Sequence, residues 1–155
     1  MIPGTFPSLV LGAWVLILAA SDVATRRIPN LLILAGAAVG LALRFSAEGV
    51  PGLLWGALGA AVCLGVMLVP FALRLGVGGG DVKLLAVCGL YLGWRLGLYN
   101  VLGAHVLNGI IAVALGLVRR AMQARGRAAP DWISKVPMAV AIALSTSLLN
   151  TGRLL

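Results

Sequence analysis

The sequence predicts an all-α polytopic membrane protein of about six transmembrane helices, and three observations carry that prediction. First, 61% of the side chains are hydrophobic and only 10% are charged, with a mean hydropathy of +1.09. Soluble domains carry charge on about a quarter of their residues, so the bilayer is the solvent here. Second, the chain has 155 residues, and a helix needs about 20 apolar residues to cross a hydrocarbon core of about 30 Å. Third, the Lys and Arg residues stand in short gaps between apolar runs, where they set topology. One transmembrane domain over residues 1–155 is therefore expected, with no separate soluble domain.

Cutting at charges, Pro and Gly clusters gives apolar runs at 5–21, 30–45, 51–73, 82–94, 97–118 and 135–150. The first resembles a signal-peptide core in length. It lacks a basic start, however, and Asp22 to Arg27 follows it where a small-residue cleavage site would stand, so it reads as a retained helix. Pro29 then stops the chain and restarts it as the second run. The third run is a full span. The second, fourth and sixth are short and need tilting, bilayer thinning or burial among neighbours. Small residues such as Gly36, Gly40, Gly56, Gly59, Gly65, Gly103 and Gly109 are spread through the spans as packing positions.

Orientation follows from the cations. Arg26, Arg27, Arg74, Lys83, Arg119, Arg120, Arg125, Arg127 and Lys135 fall on one side, against Arg44, Arg95 and Arg153 on the other. That excess puts the gaps after the first, third and fifth runs in the cytoplasm and both termini outside. The excess of 12 Lys+Arg over 4 Asp+Glu does not mark a nucleic-acid partner, because there is no continuous basic face or aromatic interleaving. Cys63 and Cys88 read as small buried apolar residues. Trp94 and Trp132 read as interfacial anchors. No cluster of His, Cys and carboxylate residues exists to imply a metal or other cofactor.

Four acidic residues can be weighed one at a time. Glu48 and Asp131 read as ordinary loop charges. Asp22 at the end of the first run and Asp81 at the start of the fourth share one depth and one face of the membrane. Acids at membrane depth cost about 2.5 kcal/mol at a helix centre and less near an interface, so they are functional candidates by default. Each also has a structural reading: Asp22 as a boundary charge paired with Arg26, Asp81 as a favourable anion at a helix N-terminus. Local chain tips the balance. Gly78-Gly79-Gly80 before Asp81 permits positive φ and close approach of a substrate strand. Lys83 either tunes Asp81 or orients a substrate, or simply snorkels toward headgroups. His105 and Asn108 read as an interhelical polar pair, with a reach into the site as the lesser reading.

The segment Asp22-x5-Ile28-Pro29-Asn30 with the later Gly78-x-Gly80-Asp81-x-Lys83 resembles the type IV prepilin peptidases, membrane aspartyl proteases of bacteria. The Gly-x-Gly-Asp element alone is shared with presenilin-like intramembrane proteases, but both motifs in order are specific. The resemblance spans nearly the whole chain and extends to Lys135-Val136-Pro137 before the last run, although Met138 and Ala139 replace the aromatic residue and glycine common there. It implies Asp22 and Asp81 as the catalytic pair, with Gly78, Gly80, Lys83, Pro29 and Asn30 shaping the site or contacting substrate. It implies no cofactor. The implied substrate is a prepilin-like precursor, a short basic leader followed by a hydrophobic helix, cut next to a Gly at the cytoplasmic face of the bacterial inner membrane. The cysteine-bearing domain that longer members use for N-methylation is missing, which implies the peptidase-only form of tight-adherence (Flp) pili. The competing reading is a small transporter or channel component with Asp22 and Asp81 as proton or cation relays, although relay acids belong near mid-span. A non-catalytic pilus-assembly protein on the same scaffold is a third reading.

Overall fold

In the computed structural model of the chain, residues 5–25, 28–126, 130 and 138–154 are described. Arg26, Arg27, Arg127, Asp131, Trp132 and Lys135-Val136-Pro137 lie outside the described residues. Among the described residues four helical elements are present rather than six: α1 (Thr5–Thr25), α2 (Asn30–Ala72), α3 (Gly79–Ala124) and α4 (Met138–Leu154).

The difference from the expected division lies in how the runs join. Straight helices of 43 and 46 residues would be about twice as long as a bilayer core is thick at 1.5 Å per residue. Instead α2 breaks at Gly49 (φ 64°, ψ −145°) and α3 at Gly93 (φ 76°, ψ 171°), conformations that L side chains rarely adopt. At each break the chain doubles back. A Cβ on Gly56 would lie 3.3 Å from Arg44 Cγ, and one on Gly97 would lie 3.2 Å from Gly89 Cα. These pairs would be far apart along an unbroken helix. Pro51 follows the first break, in the opening turn of the returning arm, where its missing N–H costs little. The loops expected between runs two and three, and between four and five, thus shrink to one glycine each.

The two doubled elements pack against each other, and α4 lies between α3 and α1. Their closest approach is backbone on backbone: a Cβ on Gly59 would collide with the Gly89 carbonyl oxygen, and one on Gly89 with that of Gly59. Leu11, Leu18, Met67, Leu84, Leu85 and Ile142 fill the core. Cys63 and Cys88 are free and buried within it, as their apolar surroundings in the sequence suggested. Many large apolar side chains face outward, among them Leu31, Leu54, Val113 and Leu148. That is the pattern of a lipid-facing surface. Two of the elements, α2 and α3, are long and apolar enough to cross a membrane. Gly59→Val is expected to lower stability by about 1–3 kcal/mol through overpacking. Thermal unfolding in detergent measures it, with Gly65→Val, where nothing lies within 4 Å, as the neutral control.

Polar side chains tie the helices together inside this apolar setting. Trp14 Nε1 donates to Leu32 O at 2.9 Å and Tyr91 Oη to Gly36 O at 2.8 Å, joining α1 to α2 and α2 to α3. Asn100 Nδ2 donates to Thr146 Oγ1 at 2.9 Å, and Ser145 Oγ donates to Asn100 O at 3.2 Å, fixing α4 on α3. Arg44, expected as an external loop charge, is instead fully buried. It lies one turn before the Gly49 break and hydrogen-bonds carbonyls of α3.

Candidate functional site

Asp22 stands in the last turn of α1 and Asp81 in the first turn of α3, both partly buried. Three residues beyond Asp22 the helix ends at Thr25, whose Oγ1 bonds back to Ser21 O. Pro29 then takes an extended conformation (φ −63°, ψ 126°) as the N-cap of α2, and its carbonyl accepts from the amides of Leu32 and Ile33. Gly78 plays the same part for α3, accepting from the amides of Asp81 and Val82 at 3.1 and 3.3 Å.

Two contacts bring these separate stretches together. Lys83 Nζ donates to Asn30 Oδ1 at 3.0 Å, across 53 positions of chain. The Ile28 side chain packs on Gly80, where an added Cβ would meet it at 3.3 Å. The segment after Asp22 is thereby clamped to the segment around Asp81, and the Asp81 carboxylate comes within electrostatic reach of Asp22. Asp22, Ile28, Asn30, Gly78, Gly80, Asp81 and Lys83 form one group at one end of the protein, with the N-cap Pro29 setting the direction in which Ile28 and Asn30 leave it.

The glycines work differently from their sequence-based expectation. Gly78 has φ −78°, and positive φ among the described glycines is confined to Gly49, Gly76, Gly93 and Gly126. What Gly78 leaves open is room beside Asp81, because a Cβ there would stand 2.8 Å from Asp81 Oδ2. Lys83 also departs from the snorkelling reading, since its ammonium is engaged by Asn30.

His105 enters the group from the returning arm of α3. It follows the Gly93 turn by as many residues as Asp81 precedes it, so both lie about 18 Å from the turn at 1.5 Å per residue. The Gly89 and Gly97 contact fixes that register. The imidazole is within electrostatic reach of Asp81. Its Nδ1 lies 2.7 Å from Val101 O, and since a carbonyl only accepts, Nδ1 is the donor. Among the described residues, the hydrogen bond of His105 runs within its own helix rather than across helices. Its equal spacing from the glycine was the available signal, hidden because the turn was expected two or three residues later.

A family model described as the type IV leader peptidase family matches residues 9–113. The match takes in Asp22, Asn30, Gly78, Asp81, Lys83 and His105 and ends within the returning arm of α3, short of α4. No curated protein and no solved structure matches the chain.

Proposed function

This chain belongs to the type IV leader peptidase family and is a membrane peptidase, and from that premise we propose that it is an aspartyl endopeptidase using Asp22 and Asp81 to cut the leader from Flp-like prepilins. The observation that carries the reading is the clamp between the two segments, Lys83 on Asn30 and Ile28 on Gly80, which keeps the two carboxylates in one electrostatic site.

Two carboxylates sharing a site resist simultaneous ionisation, so the working pair holds one proton. The ionised member accepts a proton from water as the water oxygen attacks the scissile carbonyl carbon. The other member gives its proton to the carbonyl oxygen. Collapse of the tetrahedral intermediate breaks the C–N bond: one carboxyl protonates the departing amine while the other carboxylate takes the proton of a gem-diol hydroxyl as the new carboxyl group forms. The dyad then holds one proton again. The excess of basic residues beside this end supports a cytoplasmic active site in a multi-pass inner-membrane protein. A precursor's hydrophobic helix would lie in the bilayer beside the enzyme, with its unwound junction to the leader at the interface.

The test is reconstitution in liposomes with a pilin-type precursor, read as a mobility shift, alongside an acid pulse read with an internal pH dye. Cleavage is the expected result. Proton flux without cleavage would overturn the reading in favour of a relay.

Lys83 and Asn30 act on the reaction by holding the clamp, so Lys83→Met and Asn30→Leu are each expected to slow cleavage about tenfold, the cost of a charge-assisted hydrogen bond. The double variant is expected to be no slower than either single one, because both remove the same contact. Initial rates at matched protein levels check this.

A further inference from the structure

At the end of the protein away from the aspartates, a cavity of about 110 Å³ beside the Gly93 turn is lined by Arg44, Trp55, Leu92, Gly93, Trp94 and Arg95. Arg44 forms its inner wall with no exposed surface. Nε donates to Leu90 O and Nη2 to Tyr91 O, each at 3.0 Å. Those carbonyls belong to the C-terminal end of the first arm of α3, where the helix dipole favours a cation. Among the described residues Nη1 is buried with no hydrogen-bond partner, and Glu48 Oε2 stands 3.9 Å away, within ion-pair distance but beyond hydrogen-bond reach. The guanidinium thus carries, beside the cavity that Arg44 lines, a buried donor group whose nearby carboxylate is too far for a hydrogen bond, an arrangement that is costly unless an acceptor reaches it.

The rest of the lining points to the acceptor. Arg95 supplies a second cation, held 5.1 Å over the Trp94 ring. Trp55 and Trp94 are partly exposed, 54% and 37%, as aromatic rings are at the level of lipid headgroups. Two arginines with Glu48 beside them leave one net positive charge, which matches a monoanionic phosphodiester better than a dianion. The cavity has room for a phosphate group, and acyl chains would run outside along the exposed Trp55. Arginine's fork is the geometry that binds phosphate through paired N–H groups.

We propose that this cavity binds the phosphodiester of an anionic phospholipid headgroup between Arg44 Nη1 and Arg95. The site is independent of the peptidase reading, since it stands at the opposite end of the helices from Asp22 and Asp81.

Native mass spectrometry of the full chain in detergent tests it, titrating dioctanoyl phosphatidylglycerol, dioctanoylglycerol and inorganic phosphate. The expected result is one saturable phosphatidylglycerol adduct, none with dioctanoylglycerol, and at least tenfold weaker binding of phosphate. Because Arg44→Gln would also remove a helix cap, the informative variant is Arg95→Gln, expected to weaken the lipid adduct about tenfold or more while leaving thermal unfolding of the lipid-free protein unchanged. Equal lipid binding by Arg95→Gln and the parent, or no saturable adduct at all, would overturn the proposal. Phosphate binding as tight as the lipid would overturn the lipid assignment.

Discussion

Asp81→Asn, inserted at the parent's level, is expected to cut a pilin-type precursor about 10³- to 10⁴-fold more slowly, the scale of a lost acid or base in a proton-transfer mechanism. Asparagine keeps the shape of the side chain in the first turn of α3, so the loss is chemical. Asp22→Asn is expected to cost about as much, although it stands on another helix and in the other motif. The double variant is expected to fall no further than the worse single one, because groups acting as one unit do not contribute additively. Single-turnover rates with excess enzyme in detergent micelles separate this loss from any change in precursor binding. Multiplying losses in the double variant would show that the two carboxylates work in separate steps.

Gly78→Val is expected to slow cleavage about 100-fold without destabilising the fold. The backbone at Gly78 is extended, φ −78° and ψ 144°, which any residue adopts, so the substitution strains nothing locally. The added Cβ would stand 2.8 Å from Asp81 Oδ2 and must push the carboxylate aside. A displacement of about 1 Å at a reacting group costs about 100-fold in rate. Unchanged thermal unfolding alongside the rate loss is the expected pair of results. A rate within twofold of the parent would show that Asp81 has no fixed working position.

Much of this arrangement was legible in the sequence because bilayer physics leaves few options. Apolar run lengths located the helical stretches, Pro29 marked the start of α2, and the two motifs named the residues that the fold gathers. The division into elements was harder to read. Gly49 and Gly93 each reverse a helix in a single residue, and nothing in composition separates such a glycine from packing positions such as Gly56 or Gly59. Arg44 was misplaced for a related reason. Counting charges by side treats every arginine as a loop residue, whereas this one is buried against the carbonyls that the Gly93 turn exposes. The glycines before Asp81 were singled out for backbone freedom, whereas what the fold shows at Gly78 and Gly80 is room for the carboxylate and for Ile28. Lys83 illustrates the same limit: its partner Asn30 is distant in sequence, and only the fold brings the two together.

The most direct test of the central claim is to incubate one pilin-type precursor with membranes holding the parent chain, Asp22→Ala or Asp81→Ala at equal levels, and to determine the new N-terminus of any product by mass spectrometry. The account predicts one product from the parent, beginning at the junction between basic leader and hydrophobic helix, and none from either variant. The same product from a variant at the parent's rate would contradict the assignment of that aspartate and with it the paired mechanism.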